Sequence, residues 1–367
     1  MGISSSLGSS ALLPAGLGFR NLIINGGMQI AQRATSATSL TSGEAYRTVD
    51  RFVSAFGTTG TWTETQSTDA PPGFGNSRKF QCTTANASLS AGSYLIWGQN
   101  IEGQNLQQFA KGTSSAKPFT LSFWVKAFQT GTFVVELYDN TNTRQVTKTF
   151  TINTSETWEY KTIQFPADAT GAFANSNANA LSLFFWLVAG TNFTSGTATG
   201  SWSAASNTNR AVGLNVNGAS SVNNYFQFTG VQLEANYQPT PFEQRPIGVE
   251  LALCQRYYEK SYENATAPGT STFTRLVTMP GSAGSATTGE IIGNYYWAAV
   301  KRVAPTVAWY DHSGNSNRVT RLQYGVANHA NNVASAGTVT EVMAVVSSTS
   351  GNTGQSLQFH FVADVEL

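Results

Sequence analysis

Phe119, Leu121, Phe123 and Val125 alternate with Thr120, Ser122, Trp124 and Lys126. A period of two marks a strand with one face on a core and the other toward water. Similar runs recur along the first two thirds of the chain: RFVSAF at 51–56 and TWTETQ at 61–66 across a Gly-containing turn, KFQCTT at 79–84, and GSYLIWGQNIEG at 92–103. PFTLSFWVKAF at 118–128, TFVVELYDN at 132–140 and RQVTKTFTIN at 144–153 read as consecutive antiparallel strands, and 157–167, 180–190 and 225–235 add three more. NLIINGG at 21–27 reads as a short strand ended by an Asn-Gly turn. Many strands, few helices and long Gly/Asn/Thr loops predict an all-β, two-sheet sandwich.

The pattern changes between Tyr225 and Lys260. Pro239, Pro241 and Pro246 remove donors and fix φ, so they stop the strand that precedes them. From Gly248 the apolar spacing becomes helical: Val249, Leu253 and Tyr257 at steps of four, and Leu251, Cys254 and Tyr258 at steps of three and four. Two apolar faces suit a helix wedged between domains, or one that also touches symmetry mates in an oligomer. A second β set follows, at 271–280, 289–302, 306–311, 319–326, 338–348 and 356–367, with its last strand tied into a sheet. The expected organisation is therefore an N-terminal segment over 1–20, a sandwich over 21–245, a linker helix over 246–262 and a smaller β-rich domain over 263–367.

Composition narrows the function. Only 11% of the 367 residues are charged and the formal net charge is +1, against a usual charged quarter. Counterion release on a polyanion needs a cationic cluster that this chain lacks, so nucleic acid is not an expected partner. Surface polarity must come from Thr, Ser, Asn, Gln and 34 glycines, groups that tolerate a neighbouring subunit. No apolar run approaches the length that spans a bilayer, and no cationic segment leads into an apolar stretch near Met1. Cys82 and Cys254 read as buried hydrophobes rather than a disulfide.

Catalytic chemistry finds little support. His312, His329 and His360 have no metal-ligand spacing. Asp311 and His312 point to opposite faces if on a strand, and no GxSxG elbow accompanies them. A carboxylate pair for glycoside hydrolysis stays open as an alternative. Its nearest local candidates, Glu136 with Asp139 and Glu156 with Glu159, fall on opposite strand faces. Sugar binding asks for less: a ring to stack on a pyranose and amides or a carboxylate for its hydroxyls. Trp124, Tyr138, Trp186, Trp202, Trp297 and Trp309 are the ring candidates, with Trp124 and Tyr138 out of phase with the core parity. Trp202 and Phe193, in the long loop 190–210, are either ligand-touching tips or anchors.

Four blocks, NLIINGGMQIAQR at 21–33, YRTVDRF at 46–52, FTGVQLEANYQPTPFEQRP at 228–246 and ELALCQRYYEKSY at 250–262, resemble bacteriophage virion proteins of the tail-fibre or tail-associated class. The resemblance covers 21 to about 262 and implies a jelly roll like that of carbohydrate-binding modules, a short helix and a variable C-terminal tip. It further implies a homotrimer in the virion tail that docks to other virion proteins through residues 1–20 and attaches to host glycans at the C-terminal tip, with the jelly roll as the alternative place. A decoration or scaffold protein is the competing reading. The resemblance also raises a structural calcium held by backbone carbonyls around Asn25 and by the Glu234 carboxylate, although Met28-Gln29 stands where such modules carry an acidic residue.

Overall fold

The computed structural model describes residues 20–198, 200–264, 266–280, 282–285, 290–323, 326–348 and 355–367. The expected docking segment lies almost wholly outside them. The body is built from β1 (Ser36–Tyr46), β2 (Val53–Ser67), β3 (Ser77–Thr84), β4 (Tyr94–Glu102), β5 (Phe119–Ala127), β6 (Gly131–Asp139), β7 (Arg144–Ile152), β8 (Glu159–Phe165), β9 (Asn179–Ala189), β10 (Ser203–Ala204) and β11 (Tyr225–Glu234). Pairing runs β10-β7-β6-β9-β4-β2-β3-β11-β5-β8, with β1 beside β2.

β2 explains how one ladder makes two layers. Its residues 53–57 pair with β4 and its residues 61–67 pair with β3, so the strand leaves one sheet and enters the other. Thr58 and Gly60 have φ of 52° and 84°. A Cβ on Gly60 would meet the Thr84 carbonyl oxygen at 2.0 Å, so only glycine fits the corner. The sequence reading had split this strand into two. It had also paired β5 with β6, whereas β5 pairs with β11 and β8 and the chain crosses layers over 128–130. NLIINGG forms no strand: Asn25 and Met28 take φ of 61° and 57°, and the segment hooks onto β11 through Leu22 N–H to Leu233 O and Val231 N–H to Gly26 O, both at 3.0 Å.

The layers meet in an aromatic core. Trp97 of β4, fully buried, stacks on Phe185 of β9 at 4.5 Å and meets Phe228 of β11 at 4.6 Å. Phe123 of β5 meets Phe185 at 5.0 Å. Fully burying one such side chain contributes about 2–3 kcal/mol, and the rings lock the two sheets in register. Cys82 and Cys254 are free and buried.

After α1 (Thr191–Thr194) in the long loop and α2 (Ile247–Gln255) beyond the body, a second sheet begins. It contains β12 (Tyr258–Lys260), β13 (Val277–Pro280), β14 (Ser282–Ser285), β15 (Glu290–Tyr296), β16 (Thr306–Tyr310), β17 (Arg318–Gln323), β18 (Val326–Val339), β19 (Met343–Ser348) and β20 (Gln355–Asp364). β20 is its spine, pairing with β13 and β17 over one half and with β12 and β16 over the other. The helix is shorter than its spacing suggested. Tyr257 and Tyr258 lie past its end, and Tyr258 starts β12.

Residues from three of the four blocks that carried the family resemblance, 21–33, 46–52 and 250–262, converge on the junction between these sheets. Arg33 donates to Asp364 at 2.9 Å and to Glu366 at 3.2 Å, with its guanidinium 3.7 Å over the Tyr258 ring. Arg51 pairs with Glu366, donates to Asn100 O at 2.8 Å and sits 3.4 Å over Tyr257. Gln32 bridges the Asp50 carboxylate and Tyr258 O, and Arg256 grips Glu102 through two 2.9 Å bonds. Burial pushes the Asp50 carboxyl up, against the opposing pull of Arg33 and Gln32. These buried charges are paired and hydrogen-bonded, the condition under which burial is tolerated.

Candidate functional site

Of the predicted ring candidates, Trp202, Trp297 and Trp309 are packing residues. Trp202 donates to Pro166 O at 2.9 Å and packs on Phe119. Trp297 donates to Thr340 O at 3.0 Å and lies against Phe361, and Trp309 is 3% exposed beside Phe359. Tyr138 and Trp124 occupy opposite outer faces of the sandwich, so the structure does not bring them together.

The Tyr138 face is closed. Register sets Ile96, Trp186 and Val134 side by side on β4, β9 and β6, and the loop after β9 covers them with Phe193, Ala211 and Leu214. Glu136, fully buried, accepts from Trp186 Nε1 at 3.0 Å and from Arg210 Nε at 2.9 Å. The Arg210 guanidinium lies 5.4 Å from the Tyr138 ring and 5.0 Å from Trp186. Burial raises the Glu136 pKa, against the pull of Arg210. This cluster staples the loop to the sheet, and Phe193 is an anchor.

The Trp124 face is open around Trp124 and along β8, while its Thr120, Ser122 and Gln232 stretch is buried under the segment 236–241. Trp158, just before β8, continues the outward parity of Tyr160, Thr162 and Gln164 on that strand, opposite the buried Ile163 and Phe165. Tyr160 pairs across the ladder with Trp124 of β5. Their rings are 5.4 Å apart and tilted by 52°, and Tyr160 is 45% exposed. One residue pair further, Lys126 faces Gln227 of β11, which faces Lys79 of β3. Asp69 ties this row together, accepting from Lys126 Nζ at 2.9 Å and from Trp158 Nε1 at 3.1 Å. Burial opposes ionisation of Asp69, but the bonds from Lys126 and Trp158 outweigh it and hold its carboxyl below the ordinary value. Lys79 sits 4.7 Å from the Tyr225 ring centroid.

The result is a platform of half-exposed rings flanked by amides, hydroxyls and one ionised carboxylate. Flat rings take the apolar face of a sugar, and the polar groups take its hydroxyls. The sequence reading missed Trp158 and Tyr160. The signal was partial: TWEYKTIQF places both rings in the parity of Thr162 and Gln164, opposite Ile163 and Phe165, but Glu159 and Lys161 share the apolar parity and blur it.

The local carboxylate pairs are engaged otherwise. Glu136 is held as above, and Asp139, on the other side of its strand, pairs with Lys111 Nζ at 2.6 Å. Glu159 accepts from Asn153 N–H at 2.8 Å and Lys161 Nζ at 2.5 Å, and Glu156 is exposed. His360 is buried between Ser261 Oγ and Thr272 O, and His312 Nδ1 meets Thr320 Oγ1 at 2.7 Å. His329 lies outside the described side chains.

The oxygens proposed for calcium have proton donors. The Asn25 carbonyl accepts from Met28 N–H at 2.9 Å, its Oδ1 accepts from Ile30 N–H at 2.9 Å, and the Glu234 carboxylate accepts from Thr240 N–H and Oγ1–H, each at 2.8 Å. Among the described residues, no group of three or more His, Cys, Asp or Glu could hold a metal ion. Of the helix residues predicted for self-association, Cys254, Tyr257 and Tyr258 are consumed by packing within the chain. Leu251 and Leu253 remain half-buried.

No protein-family model and no curated protein matches the sequence. Among solved structures, the enzymatically active domain of tailspike protein 4 from bacteriophage CBA120 is similar at 13% identity and a TM-score of 0.31. That match covers 59% of this chain and 21% of the tailspike chain. A family 11 carbohydrate-binding module from Clostridium thermocellum, in complex with a mixed-linked tetrasaccharide, is similar at 11% identity and a TM-score of 0.28, covering 56% of this chain and 99% of the module. Discoidin II of Dictyostelium discoideum is similar at 10% identity and a TM-score of 0.19, covering 82% of this chain and 86% of that one.

Proposed function

We propose that this chain is a non-catalytic structural protein of a phage tail, a fibre or spike, that holds host-surface glycan on the open face of its sandwich. The observation that carries the glycan reading is the Trp124, Tyr160 and Trp158 platform with Asp69 between its polar donors. The non-catalytic part is supported by the carboxylates described above. Glu136, Asp139 and Glu159 are bound to cations or N–H donors, Glu156 is exposed, and none of the local pairs converges on a cleft. The virion part is supported by the resemblance carried by the four sequence blocks, three of which supply residues to the junction. A homotrimer follows from the same resemblance. Ile247 and Val249, 57% and 37% exposed on α2, are the apolar positions we assign to symmetry mates, and sedimentation should give about three times 39.2 kDa. A monomer at micromolar concentration would remove that part.

The glycan reading is tested with W124A and Y160A against host envelope polysaccharide. Alanine in place of one stacking ring costs on the order of 1 kcal/mol, so each variant should bind several-fold more weakly with unchanged melting. Full binding by the double variant would overturn the reading. Release of reducing ends by the purified protein would favour a depolymerase instead.

A further inference from the structure

β7 and β8 are the adjacent edges at which the two layers lie side by side without pairing. β10 covers only Arg144 and Gln145 of β7, which leaves the rest of that edge open. A groove of about 510 Å³ lies there, lined by Lys148, Gln164, Pro166, Gly200, Ser201 and Tyr237. Lys148 shares the parity of Val146 and Phe150, which are in the core, so it points inward at an open edge. Its ammonium lies against Gly200 and has no hydrogen-bond acceptor or carboxylate partner among the described residues. The other lysines around the platform are engaged: Lys126 by Asp69, Lys161 by Glu159, and Lys79 over the Tyr225 ring.

An inward lysine on an edge strand also discourages edge-to-edge association, and that role alone would need no groove. The surroundings of Lys148 point further. Tyr237, 67% exposed, supplies a ring, and Gln164 and Ser201 supply an amide and a hydroxyl. Gln164 belongs to the same outward row as Tyr160 on β8 and Trp158 just before it. At 3.3 Å per residue the row spans roughly 20 Å, so the groove continues the platform. We propose that the groove receives an anionic substituent, a carboxylate or phosphate, of a saccharide lying along β8, with Lys148 as its counter-charge. This rests on the glycan reading above and adds that the glycan is acidic. A half-buried ammonium with no partner is less well solvated than a free one, so an anion there recovers a charge-assisted bond.

Calorimetry tests the proposal with an oligosaccharide from the host envelope in three forms: neutral (carboxyl-reduced or dephosphorylated), carboxylated and phosphorylated. The wild type should bind one of the anionic forms about tenfold more tightly than the neutral one, and less so as salt rises. K148Q should erase that preference while keeping neutral affinity and melting temperature, and K148R should retain it. A preference that survives in K148Q, or none in the wild type, overturns the proposal while leaving the platform intact. If W124A and Y160A keep full affinity for the neutral form, the platform reading falls. In that case a Lys148-dependent preference would still support the groove. Absence of binding to all three forms overturns both.

Discussion

Replacing Arg51 with methionine perturbs the junction at a buried charge. Arg51 is 1% exposed, its partner Glu366 has a side chain only 6% exposed, and the guanidinium covers Tyr257 at 3.4 Å. Removing one member of a buried pair costs about 3–5 kcal/mol because the other charge is stranded. Three further effects adjust this. Arg33 still reaches Glu366 at 3.2 Å, which favours the lower end. Losing the ring contact adds about 1–2 kcal/mol. Removing Arg51 Nε, buried without a partner, returns about 1 kcal/mol. The net expectation is about 3 kcal/mol, or roughly a hundredfold in an opening equilibrium. Hydrogen exchange resolves where it falls. Amides of β12 and the second half of β20 should exchange about a hundredfold faster in R51M, while those of β9 and β11 keep their protection. R51M/E366Q should recover at least half of the loss, since no carboxylate is then stranded. Wild-type protection in R51M, or a double variant no better than the single one, would refute the view that this pair clamps the second sheet to the body.

Gly26 has no room for a side chain: a Cβ there would lie 2.1 Å from Val231 O. G26A should therefore cost about 3 kcal/mol, the upper end for overpacking, read as a lower urea midpoint with an unchanged slope. A gain of stability would contradict the hook onto β11. Lys260 supplies a pH test. Burial lowers its pKa from 10.5 to about 8, against the pull of Asp50. Between those values the unfolded chain carries the extra proton, so this group's contribution to stability improves as pH rises from 8 toward 10.5 and is flat below about 7. Tyr257 and Tyr262, pushed up to about 12 by burial, remove stability above pH 10 in any variant. The measurement is accordingly the difference between wild type and K260M from pH 7 to 10, which should move in favour of the wild type. A flat difference would mean the ammonium is not desolvated.

Much of the body was legible in the sequence because a half-buried strand writes its period directly, as Phe119 to Val125 does. Where the period fails, the reading failed with it. β1, SATSLTSGEAY, is exposed along most of its length and carries no apolar alternation to detect. β2 was split because Gly57 to Gly60 resembles a turn, whereas the chain uses it to change sheets. The crossing from β5 to β6 is as short as a hairpin, and only the opposing rings distinguish the two. In the second sheet, the Tyr295, Tyr296 and Trp297 run had to put rings on both faces. Tyr296, 62% exposed, faces out, while Trp297, 7% exposed, faces in, and no local feature decides which. The blocks with a family flavour turned out to specify a junction. Arg33, Asp50, Arg51 and Tyr258 are far apart in sequence, and only the fold makes them partners.

The central claim is that saccharide is held on the open outer face of the sandwich. A crystal structure of the protein soaked with envelope oligosaccharide tests it most directly. The account predicts a pyranose ring over Trp124 and Tyr160 with a hydroxyl on Asp69. A saccharide seated against the Arg210 loop or on the second sheet, with the Trp124 face bare, would contradict it.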